Sequence, residues 1–330
     1  MHTILKFGGR KVATFSGARV PARKNPDGNM AKSPTAVADI VIKCQTRRMI
    51  ALNRSGRAPV PDGLPPEYLL ADVSTSADIL HPFFIKLALQ RMEPHEGKKA
   101  MAVDLQKGGI DYMLMDFCRS VLLGSYVTET YHKHIRSRTL ELVRHLLKAS
   151  QSGGVPGGSC ELPVLTVRSF AKACKLRKIG GAIYFFDVRS AYYNGLRALL
   201  SSSATSEDDI DAIVTAEQSS EAGADLLLAI HEVMYRPGIL DEWAGTSEHR
   251  LHFKQIIDES LQGSTFTVRG SGLIARPRKG FKPGDTIADL LFSLTLALIL
   301  KDIARELSSL GLLYQSAKAP KCFATVQPID

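Results

Sequence analysis

The feature that most constrains the fold is the apolar segment Leu290–Leu300, which is interrupted only by Ser293 and Thr295. A membrane-spanning helix needs about 18 or more apolar residues, so this segment is too short to cross a bilayer. A helix that is apolar on nearly every side belongs in the core of a folded protein. The sequence therefore predicts a long buried helix over residues 288–300 and no membrane partner.

The other segments switch between two kinds of periodicity. Apolar residues at helical spacing occur at residues 36–52, 66–72, 82–92, 126–149 and 163–176. Alternating or clustered apolar runs, typical of short strands, occur at residues 101–105, 113–121, 182–186 and 265–269. Because these elements follow no regular βαβ order, the pattern predicts an α+β fold.

Positive charge is concentrated at the start of the chain. The formal net charge is +9, and residues 1–57 alone hold twelve Lys or Arg against two acidic residues. This basic N-terminal arm is either a solvated extension or a segment that binds phosphates. Prolines near residue 60 and the glycine-rich loop at residues 151–159 divide the remainder into regions 58–150 and 151–330.

The cysteines and the first residues favour an intracellular protein. Five cysteines without a C-x-x-C pair indicate neither a disulfide framework nor a zinc finger. No apolar core of signal-peptide length follows Met1. We expect a protein of the nucleus or cytoplasm that is not secreted.

Two clusters could contact a metal ion or a nucleotide. Asp187 ends the β-prone run 182–186, where a carboxylate could hold a divalent cation, although such an Asp is also a common cap or turn residue. Lys107 on a glycine turn and Arg119 on the next run could grip a triphosphate, or they could be two solvated charges. The nine histidines lack metal-ligand spacing, and we expect them to be exposed or hydrogen-bonded.

The third cluster is the loop Gly280–Asp285, which precedes the apolar helix. Its glycines let the backbone approach a flat or phosphorylated ligand, and the helix N-terminus behind them favours negative charge. The alternative is a plain strand–turn–helix connection in which Asp285 caps the helix.

Taken in chain order, five short motifs resemble the reverse transcriptases of LINE-type, non-LTR retrotransposons. They are DGLPPE at 62–67, QKG and FCRSVLL at 106–108 and 117–123, QSG at 151–153, FDVRSAY at 186–192 and GFKPGDTIADLLF at 280–292. The resemblance runs from about Asp62 to the C-terminus. It implies an RNA-directed DNA polymerase with a right-hand fold, with fingers over residues 58–150 and an incomplete palm over residues 151–330.

The resemblance also implies roles for individual residues. Asp187 would be a catalytic residue that binds metal, in a site that holds two Mg²⁺ ions in the complete family. The residues expected at the incoming dNTP are Lys107, Arg119, Tyr192 and Gly284. Tyr192 would exclude the 2′-hydroxyl of a ribonucleotide. The residues expected at the RNA template, DNA primer or RNA/DNA hybrid are Gln151, Gly153, Arg276, Arg278, Gly280, Lys282 and Pro283.

Two departures from the family pattern bear on activity. Pro283 stands where most relatives carry Gln, and neither an Ala-Asp-Asp motif nor the thumb that follows it is found before residue 330. We therefore expect the chain to bind nucleic acid without polymerising it. Two alternatives stay open: a non-catalytic nucleic-acid-binding remnant of such an element, and a protein-interaction domain whose charge is incidental.

Overall fold

The computed structural model describes most of the chain between residues 34 and 311. The described residues are 6–7, 10–11, 34–57, 62–106, 118–147, 151–153, 158–183, 185, 187–188, 190–218, 228, 232, 234–268 and 272–311. The predicted nucleotide-binding residue Lys107 lies outside them.

Helices make up most of the described structure. They are α1 (Pro34–Ala51), α2 (Pro66–Ala71), α3 (Val73–Gln90), α4 (His95–Lys98), α5 (Tyr126–Val143), α6 (Glu161–Arg177), α7 (Ala191–Asn194), α8 (Glu207–Gln218), α9 (Ile239–Ala244), α10 (Glu248–Leu261) and α11 (Ala288–Ser309). Short 3₁₀ turns cover Arg144–Leu146, Arg197–Leu199 and Ser202–Ala204. The helices predicted from apolar spacing are confirmed, but α3 begins at Val73 and not at residue 82, and α11 ends at Ser309 and not at residue 300.

The earlier start of α3 has a local cause. The side chain of Asp72 accepts hydrogen bonds from the backbone nitrogens of Ser74 and Thr75 at 2.9 and 3.1 Å, so the helix begins at Val73. The prediction began this helix at Pro82. The N-terminal cap decides the boundary instead, and Pro82 lies inside the helix.

The strands form two small sheets. The strands β1 (Lys6–Phe7) and β2 (Arg10–Lys11) pair as a hairpin, and the second sheet has the order β4–β3–β5–β6. Its strands are β3 (Lys99–Gln106), β4 (Cys118–Gly124), β5 (Thr265–Val268) and β6 (Ile274–Ala275). Strand β3 is antiparallel to β4 and parallel to β5, and β5 is antiparallel to β6. The mixture of helices with a small mixed sheet confirms the α+β class.

Helix α11 lies in the main core, as its apolar sequence predicts. Leu290, Leu291 and Leu294 are at most 1% exposed, and they belong to one cluster with Phe84 of α3 and Tyr131 of α5. A core that combines residues from both sides of the glycine-rich loop fixes α5 and α11 relative to each other. Among the described residues, no helix is both long and apolar enough to cross a membrane.

The strand predicted over residues 182–186 is wrong. The described residues of this segment are neither helix nor strand, and Ile183 and Phe185 are 41% and 83% exposed. A strand satisfies its backbone groups only by pairing with a neighbour. Among the described strands none pairs with this segment, so its β-prone composition does not produce a strand.

Candidate functional site

The loop Gly280–Asp285 joins two segments that are distant in the sequence. The backbone nitrogen of Phe281 donates to the oxygen of Tyr192 in α7 at 2.6 Å. The backbone oxygen of Pro283 accepts from the nitrogen of Leu122 in β4 at 2.8 Å. The loop therefore lies between α7 and the outer edge of the sheet.

Two positions in this loop admit only glycine. Gly280 has a φ of +84°, and a Cβ atom there would lie 2.5 Å from the backbone oxygen of Tyr193. Gly284 has a φ of +102°, and a Cβ atom there would lie 2.6 Å from the backbone oxygen of Leu122. The glycines therefore allow a close approach of backbone to backbone within the chain, whereas the predicted approach to a flat or phosphorylated ligand stays a prediction.

Arg197 is a buried residue of this site that the sequence prediction missed. Its side chain donates to the backbone oxygens of Gly280 and Leu261 at 2.8 and 2.7 Å. Burial lowers the pKa of Arg197 to about 10, because desolvation disfavours the charged guanidinium. In the sequence Arg197 is one more cation in an apolar segment, and no local signal marks its partners.

The neighbouring tyrosines Tyr192 and Tyr193 contact different elements. The hydroxyl of Tyr193 donates to the backbone oxygen of Ser120 in β4 at 2.6 Å. The ring of Tyr192 lies 5.5 Å, centroid to centroid, from Phe292 in α11. The two side chains therefore reach different elements from one short helical turn, Ala191–Asn194.

Asp187 lies on the surface in a segment without regular structure, and not at the end of a strand. The described part of the chain contains no group of three or more His, Cys, Asp or Glu side chains that could hold a metal ion. Mg²⁺ is bound by hard oxygen ligands in near-octahedral geometry. Asp187 and its described surroundings therefore do not fit a two-metal site.

The predicted nucleotide-binding position Arg119 lies in β4, where it pairs with Leu105 of β3. It directly precedes Ser120, the residue that accepts the hydrogen bond from Tyr193. The backbone at Arg119 is thus next to the contact between β4 and α7.

The Gln-x-Gly segment contacts α11. The side chain of Gln151 donates to the backbone oxygen of Ser293 at 2.9 Å, and the hydroxyl of Ser293 donates to the oxygen of Gly153 at 3.4 Å. Ser293 follows Phe292, which contacts Tyr192. The predicted template-binding residues Gln151 and Gly153 therefore lie at the same end of α11 as Tyr192, which is predicted to exclude the 2′-hydroxyl.

The predicted phosphate-binding cations divide between two places. Arg276 and Arg278 are exposed and face the first turn of α8, 3.6 Å from the Asp209 carboxylate and 3.5 Å from the Asp208 backbone oxygen. Lys282 instead extends over β4, since a Cβ atom at Gly124 would lie 2.6 Å from its Nζ atom. Among these cations, Lys282 is therefore the one that lies beside the loop–sheet contact.

Two carboxylates of the chain lie at the start of α11. The Asp285 side chain accepts from the backbone nitrogen of Ile287 at 3.2 Å and closes a turn before the helix, whereas the N-cap residue Ile287 makes no side-chain cap hydrogen bond, so Asp285 is not the cap that the sequence suggested. One turn later Asp289 pairs with Arg136 of α5 at 2.6 Å. Carboxylates of the chain itself therefore lie near the positive end of the helix dipole.

His132 is the second buried residue that the sequence prediction missed. Its Nδ1 atom lies 2.7 Å from Oδ2 of Asp285, and its Nε2 atom lies 2.9 Å from Oε1 of Glu93. Burial disfavours the charged ring, but the charges of Asp285 and Glu93 outweigh it and raise the pKa of His132 to about 10. Burial would also raise the pKa of Asp285, but His132 outweighs it and lowers that pKa to about 2.

The open space next to the loop is small. A cavity of about 20 Å³ is lined by residues that include Leu122, Tyr193, Arg197 and Phe281. This volume holds about one water molecule, so a nucleotide has no closed pocket here. A ligand of this face would have to lie on its surface.

Comparisons with known proteins add no identity: the sequence matches no protein family, and no curated protein is significantly similar to it.

Proposed function

We propose that this chain belongs to a reverse transcriptase, an RNA-directed DNA polymerase of the retrotransposon class, with right-hand fingers and palm. The observation that carries the proposal is that segments of three resembling motifs meet in one place. Strand β4 joins the loop Gly280–Asp285 through Leu122, and α7 joins the same loop through Tyr192. Strand β4 and α7 also contact each other directly, through the hydrogen bond between Tyr193 and Ser120, which are 73 residues apart.

A polymerase needs this juxtaposition for a physical reason. The strand that carries a phosphate-binding Arg, the aromatic residue under the sugar and the loop under the template base must all reach one nucleotide. In this chain those positions are Arg119, Tyr192 and Gly284. Lys282 beside Gly284 supplies a positive charge for the backbone of a hybrid.

The partners proposed for this chain are an RNA template, a DNA primer or their hybrid, and a dNTP, inside the nucleus or cytoplasm. In the complete family site two Mg²⁺ ions would supply the nucleotidyl-transfer chemistry, and Asp187 is the residue of this chain that would contact them. The role that we propose for this chain by itself is binding to the nucleic acid.

Two measurements test the proposal. The first is the affinity of the chain for a labelled RNA/DNA hybrid over a series of salt concentrations. We expect the affinity for the hybrid to fall as the salt concentration rises. Lys282→Ala should lower this affinity further, whereas Lys301→Ala should leave it unchanged. Lys301 is a matched control, because it lies on α11 and pairs with Glu242. A chain that fails to bind a hybrid even at low salt would be a protein-interaction domain, and both nucleic-acid proposals would be wrong.

The second measurement is primer extension on an RNA template with Mg²⁺. We expect no extension by this chain alone. Extension that Asp187→Ala abolishes and Asp211→Ala does not would show that Asp187 works in a metal site beyond the described residues. Asp211 is an exposed aspartate of α8 and serves as the matched control.

A further inference from the structure

His132 connects three segments of the chain within the core. Glu93 lies between α3 and α4, His132 lies in α5, and Asp285 lies at the end of the loop Gly280–Asp285. The side chains of all three are at most 7% exposed. Partners 39 and 153 residues away in the sequence thus meet on one imidazole ring.

The geometry requires a charged ring. Both nitrogens of His132 face carboxylate oxygens, and a neutral imidazole can donate from only one of its nitrogens. Protonation makes both nitrogens donors and places a positive charge between Glu93 and Asp285. The second oxygen of Glu93, Oε2, has no hydrogen-bond partner, so this carboxylate depends on His132 for compensation.

The bridge acts on the loop because Asp285 directly follows Gly284. Gly284 packs against the backbone of Leu122, whose nitrogen donates to Pro283. Asp285 can therefore move only if the contact between the loop and β4 is also broken. The next turn of α5 adds a second tie, since Arg136 pairs with Asp289.

We propose that His132 is a positioning residue: its two-sided bridge from Glu93 to Asp285 holds the loop Gly280–Asp285 against β4. The link between His132 and the loop is a property of the fold alone. Its meaning for template placement rests on the function proposed above, since Gly284 and Lys282 would meet the nucleic acid.

Several other charged or titratable groups lie around this bridge. The positive charge of Lys282 helps to lower the pKa of Asp285. The ring centroid of Tyr131 lies 6.1 Å from that of His132, and burial raises the pKa of Tyr131. Arg136, one turn further along α5, forms an ion pair with Asp289. An uncharged contact also lies nearby, in which the backbone oxygen of Glu129 accepts a hydrogen bond from the hydroxyl of Thr286. A test of the bridge must leave the charges of these groups unchanged.

The test is amide hydrogen exchange at Leu122, measured by NMR together with the titration of the His132 ring. In the Lys282→Arg background, which keeps a permanent charge at position 282, we expect protection at Leu122 to fall as pH rises through the His132 titration. The amide of Leu240, which donates to Leu200 in the core, is the internal reference and should stay protected. If protection at Leu122 does not change as the His132 ring titrates, the proposal is wrong.

Variants give the same test at constant pH. His132→Gln should lower protection at Leu122 at least tenfold, and Asp285→Asn should lower it as well. His134→Gln is the matched control, because His134 lies on the same helix and burial lowers its pKa to about 4, so it is neutral. Equal protection in His132→Gln and His134→Gln would also overturn the proposal.

Hybrid binding by the same variants separates this inference from the proposed function. Loss of protection together with loss of hybrid affinity supports both. Loss of protection in a chain that binds no hybrid supports the bridge and contradicts the polymerase assignment.

Discussion

The hydroxyl of Tyr193 donates to the backbone oxygen of Ser120 at 2.6 Å, and so ties the helical turn α7 to strand β4. Its neighbour Tyr192 makes no contribution to that tie and contacts Phe292 of α11 instead. The two adjacent aromatic residues thus have separable effects.

Tyr193→Phe removes this hydrogen bond and keeps the ring. We expect the free energy of unfolding to fall by about 1 kcal/mol or less, because the bond is partly exposed to water. Tyr192→Phe is the control, and it should leave stability unchanged within about 0.5 kcal/mol. Urea unfolding of both variants provides the measurement, and equal losses would show that Tyr193 contributes only general packing.

Alanine at Gly280 or Gly284 should destabilise the loop. Each residue has a positive φ, and each new Cβ atom would meet backbone at 2.5 to 2.6 Å. We expect each change to cost at least about 2 kcal/mol, since backbone strain alone costs about 1 to 3 kcal/mol. Gly180→Ala, where nothing lies within 4 Å of the new atom, is the control and should be neutral. Thermal unfolding of the three variants decides the point.

Stability should depend on pH through the His132 bridge. The raised pKa of His132, about 10 against 6.5, gives stability that is complete below pH 6.5 and is lost as pH rises toward 10. The lowered pKa of Asp285, about 2 against 3.8, gives stability that is complete above pH 3.8 and is lost as pH falls toward 2. Their joint contribution is therefore largest between about pH 4 and 6.5. Urea unfolding between about pH 6.5 and 10 should show a smaller alkaline decline in His132→Gln than in the parent chain.

Lys254 compensates the buried carboxylate of Asp258 and the half-buried carboxylate of Asp241, and it should be hard to replace. Its Nζ atom lies 3.0 Å from Asp241 and 2.8 Å from Asp258. Lys254→Met leaves both carboxylates without their cation, which typically costs about 3 to 5 kcal/mol. Lys301→Met, which breaks an exposed pair with Glu242, should cost less than about 1 kcal/mol. A small effect at Lys254 would mean that the carboxylates become protonated or hydrated instead.

The basic arm can be tested by changing its charges alone. Helix α1 lies within residues 1–57, and its Ile50 is fully buried, so the relevant cations are the seven Lys and Arg of residues 1–33. Replacing these seven by Gln should flatten the salt dependence of hybrid binding, since each phosphate contact contributes about 0.9 to the logarithmic slope. An unchanged slope would identify the arm as a solvated extension.

The sequence predicts local structure well where the signal is itself local. The apolar segment at residues 288–300 becomes the buried part of α11, and Ser206 caps α8 by accepting from the nitrogen of Asp209 at 3.3 Å. Both features depend on residues within a few positions of one another. The Gly280–Asp285 loop was also found, because its glycines mark a close approach of backbone.

Features that depend on distant partners were not predictable in the same way. The apolar run that ends at Asp187 has the composition of a strand, but a strand also needs a neighbour, which composition does not reveal. His132 and Arg197 look like ordinary polar residues between apolar ones. Their roles come from Glu93, Asp285, Gly280 and Leu261, which the fold brings to them.

The bond between Leu122 and Pro283 also bears on how the protein behaves in concentrated solution. Strand β4 is an edge of the sheet, and unpaired strand edges invite addition of a strand from another molecule. At Leu122 the loop Gly280–Asp285 occupies this edge, so a strand of another molecule cannot pair there. A ligand that lifts the loop away from β4 would free the edge at Leu122, and we expect self-association to increase when the loop opens.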